Sequence, residues 1–470
     1  MIPLSGTAEG GLSAMGSAGL GYFGDARRAA VGEELLERAV AGGTLVLRQL
    51  GGTRAGEMRY QRFLNSSFVD LEEIFETASR HTAEASAGRR VIAIQDTTEI
   101  SFGRRREQPR DLGRGTDDDS PALFLHPVVA VERDGEQEVL GVVHGEIWTR
   151  GEERTKEKRK QRSFDSKESR RWLTAMETAA GRLGGADEIV MVADRESDIY
   201  TVFADRPKGM ELVVRARHNR RLADGSGAFE TAAQWRDLGR GSVSVAPRGP
   251  GDKGRTADVA IRAGSITVER PKHDCESRAG AIPLNLVHVE ELDPPEGKQG
   301  LCWYLLTSLP VASLDQAREV AEIYRQRWRI EQVFRGMKRD GLGLEDSQLM
   351  RKQHLFKLTA IALLASVRTI QLVDARDGSP RPASDLLDEE MLPVADAIGR
   401  RLEGKTTRQQ NPHPWGSRAW LAWIVARCGG WNCYYKPPGP KTMRTGWDKF
   451  AQQLKGYAQA LDDLATHANP

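Results

Sequence analysis

Cysteine is scarce in this chain. Four residues in 470, Cys275, Cys302, Cys428 and Cys433, are too few and too scattered for a disulfide framework. Cys428 and Cys433 have four residues between them, but no second Cys or His pair stands at zinc-ligand spacing, and the nine histidines include no H-x3-H pair. A structural zinc site is therefore not expected, and a reducing cytoplasm is the natural location. A charge of one sign is also missing: 68 Lys and Arg against 66 Asp and Glu leave +2, so composition announces no polyanionic partner. No apolar run approaches the roughly 18 residues of a membrane span, and the N-terminus lacks the basic and apolar regions of a signal peptide. Neither a membrane protein nor a secreted one is expected.

What is present is length and local basicity. The chain is long enough for two or three domains around a substantial core. Residues 102–114 (FGRRREQPRDLGR) hold five basic groups and two acids, and residues 150–162 (RGEERTKEKRKQR) hold seven and three. Residues 324–339 (YRQRWRIEQVFRGMKR) hold six and one. Basic patches in a balanced chain suit a protein that tracks phosphates, although each alone reads equally as a solvated surface.

Apolar spacing predicts helices from about 20 to 85, in EELLERAVAGGTLVLRQL and VDLEEIFETASRH. RRVIAIQDTTEISF then carries a buried strand, Val91 to Ile94, with an acid at its end. ALFLHPVVAVERDGEQEVLGVVHGEIW reads as two strands turning at Asp134-Gly135. A helix in DSKESRRWLTAMETAAGRL precedes a second buried strand, Ile189 to Ala193, that ends at Asp194. This order predicts an α/β sheet with an antiparallel edge. From about 210 to 310 the chain is strand-rich and reads as a β insertion. The apolar helix KLTAIALLASVRTIQLV and a linker near 375–385 follow. The expected division is an N-terminal domain over 1–85, an α/β domain over 86–375 and a helical C-terminal domain over 376–470.

Read as one helix, with about 100° per residue, 324–339 brings Tyr324, Arg327, Glu331 and Lys338 to one face. Ile323, Ile330, Phe334 and Met337 form a neighbouring apolar stripe. One flank would pack on a core while the other presents a carboxylate framed by a phenol and two cations. Asp96 and Asp194 each end a buried strand, where α/β sheets gather ligands and catalytic groups. An acid there is costly to desolvate unless its charge is balanced. Capping the next turn is the bland explanation of either aspartate. A divalent metal is the other, since oxygen-only donors select hard cations such as Mg2+ or Mn2+.

The spacing Tyr324, Arg327, Glu331, Lys338 matches the Y-(2)-R-(3)-E-(6)-K signature, and the chain resembles the DDE cut-and-paste transposases of bacterial insertion-sequence family four. IQDTTEISF and VADRESDIY resemble the blocks of the family's first and second aspartates, and WYLLTSLPV its strand before the last helix. GDARR near residue 24 resembles its N-terminal DNA-binding domain, and IVARCGGW with GWDKF its C-terminal domain. The resemblance implies an RNase H-like catalytic core with a β-strand insertion, flanked by a helical N-terminal DNA-binding domain and a helical C-terminal dimerisation domain. Asp96, Asp194 and Glu331 would hold two Mg2+ ions, with Mn2+ as a substitute. By similarity, water nicks the transposon end, the 3′-OH forms a hairpin with the opposite strand, a second water opens it, and the freed 3′-OH attacks target DNA. The same likeness gives Tyr324, Arg327 and Lys338 to DNA phosphates, Trp303 to stacking on an extruded base, and Arg215, Arg27 and Arg28 to DNA contact. The partners implied are double-stranded DNA, both inverted-repeat ends and target, and a second copy of the chain. The loop at 150–162 and the residues after Asp96 depart from the family pattern.

Other residues have simpler readings. Glu196 and Asp198 favour a helix N-terminus through its dipole. Trp420, Trp423 and Ile424 serve subunit contacts or core packing. Three rival functions stand beside the transposase: a nuclease without strand transfer, a catalytically silent DNA-binding regulator, and a carboxylate-pair glycosidase, which leaves the basic helix unexplained.

Overall fold

The computed structural model describes residues 19–103, 111–116, 120–150, 170–245, 254–272, 277, 279–297, 299–338 and 341–467. Most of the basic patches at 102–114 and 150–162 therefore lies outside the described residues. Four helices open the chain: α1 (Ala26–Gly42), α2 (Leu47–Gly51), α3 (Arg54–Asn65) and α4 (Leu71–Ser86). Asp25 starts α1 by accepting the Arg27 N–H at 2.8 Å, and Thr53 does the same for α3 through Gly56, each satisfying one orphan donor.

The eleven strands found among the described residues join one sheet. They are β1 (Arg90–Gln95), β2 (Thr98–Ser101), β3 (Gly113–Arg114), β4 (Pro121–Glu132), β5 (Val139–Trp148), β6 (Glu188–Ala193), β7 (Met210–Arg215), β8 (Gly239–Val245), β9 (Arg255–Val268), β10 (Ile282–Glu291) and β11 (Cys302–Thr307). The order β5-β4-β1-β6-β7 has β4 antiparallel to both β5 and β1, and β6 parallel to β1 and β7. This mixed core is consistent with the RNase H-like expectation. β11, β10, β9 and β8 then extend the same sheet antiparallel from β7. ELVVRAR, the first segment of the strand-rich stretch read from about 210, is β7, which pairs parallel with β6 and antiparallel with β11. Its alternating composition resembles that of its antiparallel neighbours, and only the long-range pairing with β6 tells them apart.

Between strands run α5 (Arg170–Arg182), α6 (Tyr200–Ala204) and α7 (Ala228–Gln234), which cover one face of the sheet with Trp172, Met176 and Phe203. The other face meets α8 (Leu314–Arg325), α9 (Trp328–Met337) and α10 (Lys352–Ala375). α11 (Leu392–Leu402), α12 (Arg418–Cys428) and α13 (Pro440–His467) complete the chain. α4 ends at Ser86 and α10 at Ala375, close to the boundaries drawn from sequence, yet the flanking helices share one apolar core: α1 packs on both α10 and α13.

One sequence expectation needs correction here, and another is decided between its two readings. α10 is long and apolar enough to cross a membrane by length and composition, contrary to the reading that no run qualifies, but most of it is buried against β5, α1 and α9. Of the two readings of Trp420, Trp423 and Ile424, core packing holds, since all three are buried inside this chain.

Candidate active site

Strand pairing brings the two aspartates together. β1 and β6 are parallel neighbours with Ile94 opposite Val192, so Asp96 and Asp194, each two residues further on, leave adjacent strands at the same level. Neighbouring strands lie about 4.8 Å apart. Burial over five of the six positions in each strand covers both faces, as in the interior of a parallel sheet.

Glu331 arrives from above this edge, but not on the single helix expected. α8 ends at Arg325 and α9 begins at Trp328, and between them the hydrogen bonds tighten to three-residue spacing: Arg327 N–H to Tyr324 O and Arg329 N–H to Gln326 O. Neither Pro nor Gly marks the break. Its cause is tertiary, since α8 lies on the sheet while α9 packs against α10. The Gln326 side chain is buried and donates to Gln137 Oε1 at 2.5 Å. The Arg329 guanidinium reaches Gln137 O at 3.2 Å and Asp374 at 2.6 Å. The predicted apolar stripe anchors both helices, with Ile323, Ile330, Phe334 and Met337 all buried, each contributing about 1.5–3 kcal/mol.

Arg327 is the centre of the resulting cluster. Nη1 lies 3.3 Å from Asp96 Oδ2, and Nη2 donates to Glu331 Oε1 at 2.5 Å. Tyr324 donates its hydroxyl to Asp194 Oδ1 at 3.1 Å, and Arg215 Nη1 lies 4.0 Å from the same oxygen. Trp303 meets the Tyr324 ring edge-on, with centroids 5.0 Å apart. Four other sequence-selected residues, Arg327, Tyr324, Arg215 and Trp303, are thus linked to the three carboxylates or to their immediate partners. Lys338 is not among them: it follows the last turn of α9, partly buried, and the charges acting on it are those of Glu345 and Glu99. Arg27 and Arg28 sit at the start of α1, with Arg28 over the Phe68 ring at 4.4 Å, in a part of the fold separate from this cluster.

The electrostatics follow from burial. Burial pushes the Asp96 carboxyl up to about 7, against the Arg327 charge and the Thr97 N–H, with Asp194 and Glu196 adding to the rise. Burial and the Asp194 charge raise the Tyr324 hydroxyl, so it stays protonated and can donate. Burial works against the Arg327 charge, but Tyr324, Asp194 and Glu331 outweigh it. Among the described residues no three His, Cys, Asp or Glu side chains stand arranged to hold a metal ion, and Arg327 lies between Asp96 and Glu331. The donor chemistry nonetheless fits a hard divalent cation: oxygen ligands from three elements, two of them already sharing one positive charge.

Two features escaped sequence reading. His126 is fully buried on β4, its Nδ1 2.8 Å from Thr97 Oγ1 and its Nε2 3.3 Å from Gln95 Oε1. It therefore backs the turn that carries Asp96. Asp198, assigned above to a helix dipole, instead locks the chain after β7: it accepts the Arg217 and His218 N–H groups at 2.7 and 2.9 Å and pairs with Arg220 at 2.5 Å. The helices on either side of it, the three-residue turn Arg195–Ser197 and the five-residue α6, are both short, and its side chain is spent on these partners instead. Its partners lie about twenty residues downstream, so no local signal announced them.

A family model described as a transposase DDE domain matches residues 126–368, just over half of the chain. The match contains Asp194 and Glu331 and begins after Asp96, which the β1–β6 pairing brings to the same edge.

Proposed function

This chain belongs to the DDE transposase family, DNA-cleaving and strand-transferring enzymes, and from that premise we propose cut-and-paste transposition at a centre made by Asp96, Asp194 and Glu331. The observation that carries the reading is Arg327 spanning Asp96 and Glu331 while Tyr324 holds Asp194. Three spaced residues of the signature thereby meet both strand-end aspartates. The resemblance of that signature to insertion-sequence family four supports including hairpin formation at the cleaved end in this reading.

Asp96, Asp194 and Glu331 would hold Mg2+ or Mn2+, as a pair of ions, which supplies activation of water and stabilisation of the leaving oxygen in displacement at phosphorus. The chain's own groups do the rest. Tyr324 keeps its proton and orients Asp194, and Arg327 fixes the relative position of Asp96 and Glu331. Arg215 and Lys338 offer cations to the DNA backbone, and Trp303 offers a ring face to an unstacked base, offsetting the cost of extrusion. Arg27 and Arg28 on the N-terminal helices would contact the transposon end, and two copies of the chain would pair two ends in the cytoplasm.

The test is cleavage of labelled duplex carrying the inverted repeat that flanks the gene, in Mg2+, by wild type and Glu331→Gln. Nicked and hairpin-sized products from wild type alone are expected. Binding by both proteins with cleavage by neither, in Mg2+ and again in Mn2+, would replace this reading with the silent DNA-binding one.

A further inference from the structure

Residues 400–441 hold eight basic side chains and one acid, Glu403. Two of the eight face inward: Arg418 is buried against Glu138 and Asp385, and Arg427 is spent on the Leu402 and Trp431 carbonyls. The other six are exposed. Of these Arg400 pairs with Asp396, while Arg401, Lys405, Arg408, Lys436 and Lys441 have no carboxylate partner within 4 Å among the described residues. The lone acid is itself engaged, accepting the Asn411 N–H at 3.1 Å.

Lys405, Arg408 and Lys436 belong to two loops that the protein holds together, and Arg401 and Lys441 flank them at the end of α11 and the start of α13. Thr406 Oγ1 lies 2.8 Å from the Tyr434 hydroxyl, and the Arg408 guanidinium lies over the Tyr434 ring at 6.0 Å. Arg427 bridges the two loop bases through Leu402 O and Trp431 O, and Trp431 Nε1 donates to Lys436 O at 3.2 Å. Pro412, Pro414, Pro437 and Pro438 stiffen the same loops. On this fixed platform Trp415, Tyr434 and Tyr435 are exposed, Tyr435 by 81%. Large rings held outward beside unpaired cations are costly in water and useful against a polyanion with apolar sugar and base surfaces.

We propose that the loop pair 403–416 and 429–439 is a docking surface for duplex DNA bound without regard to sequence, the DNA into which cleaved ends are joined. A second copy of the chain is the poorer occupant, because a two-fold contact would set this cationic patch against itself. The proposal rests on the transposase reading for its role in joining. The binding it requires is measured without metal, so a failure of the catalytic reading leaves it separately testable.

The experiment compares the full chain with the quadruple variant Lys405→Gln, Arg408→Gln, Lys436→Gln, Lys441→Gln, and with Tyr435→Ala, on a random-sequence duplex across a salt series. The quadruple variant should flatten the plot of log affinity against log salt by about 3–4, at roughly 0.9 per lost phosphate contact, and bind at least about tenfold more weakly. Tyr435→Ala should weaken binding several-fold with the salt slope kept. Both should cleave the transposon end like wild type and lose joining to target. Unchanged affinity for random duplex overturns the proposal. So does an equal loss of end cleavage, which would assign the surface to end recognition, or a shift in oligomeric state on sizing, which would make it a protein interface.

Discussion

Asp194 and Asp198 stand four residues apart on one loop, and the fold treats their charges in opposite ways. Asp198 is wholly buried and saturated: two backbone N–H groups and the Arg220 guanidinium take up its oxygens. Asp194 keeps about a third of its side chain in solvent and has one hydroxyl donor at 3.1 Å and one arginine at 4.0 Å. Asp96 and Glu331 resemble Asp194 in this, sharing a single guanidinium between two carboxylates. Asp198, held as structure, has its lone pairs consumed, whereas the acids of the candidate site are left short of donors and so remain able to bind a cation.

The contrast can be broken most forcefully at the saturated acid. Asp198→Ala leaves Arg220 buried without its partner, and should cost about 3–5 kcal/mol in urea unfolding. Asp194→Asn should move stability by less than about 1 kcal/mol while abolishing end cleavage. If Asp198→Ala unfolds at the wild-type midpoint, the distinction between the two acids is wrong.

A second test uses pH on metal-free protein. Asp96 sits at about 7 in the folded state, above an unfolded value near 3.8. The folded state therefore binds this proton more tightly, and Asp96 contributes stability that is present in acid and lost as pH rises from about 4 to 7. His126 runs the other way. Burial lowers it to about 3 from 6.5, so its contribution is full above 6.5 and lost as pH falls towards 3. The two lie in one hydrogen-bonded chain through Thr97, and between about 4 and 6.5 their slopes oppose. Asp96→Asn should make the protein more acid-labile in that window, by up to a few kcal/mol, and His126→Asn should make it less so. Parallel pH curves for both variants and wild type would show that neither group is held away from its ordinary value.

How much of this the sequence carried depends on how local each feature was. Val91–Ile94 and Ile189–Ala193 are continuous apolar runs with an acid two residues and one residue beyond, so both strands, and the position of an aspartate at the end of each, were legible. That those strands are parallel neighbours follows only from the sheet. The Tyr-Arg-Glu spacing was legible as a face, but Tyr324 and Glu331 reach it from two helices. The turn between them has no Pro or Gly to betray it. Arg215 read equally as a plain strand arginine until β11 and β6 set it beside Asp194. Asp198 was misread for the same reason, its partners being long-range.

The turn between α8 and α9 gives the finest test, because it is held from outside. Gln137 supplies both supports: its side chain accepts from Gln326 and its carbonyl accepts from Arg329. It does so with φ at 52°, a conformation costing a non-glycine residue about 1 kcal/mol. Gln137→Ala keeps that strain and loses the side-chain hydrogen bond, and should cost about 1 kcal/mol. Gln137→Gly loses the same bond but relieves the strain, so its stability should lie near wild type. Both leave Arg327 and Glu331 untouched while freeing the segment that carries them, so both should slow end cleavage several-fold, the stable variant as much as the weakened one. Cleavage that follows stability across the pair, with Gln137→Gly at the wild-type rate, would mean that α9 is positioned by its packing on α10 alone.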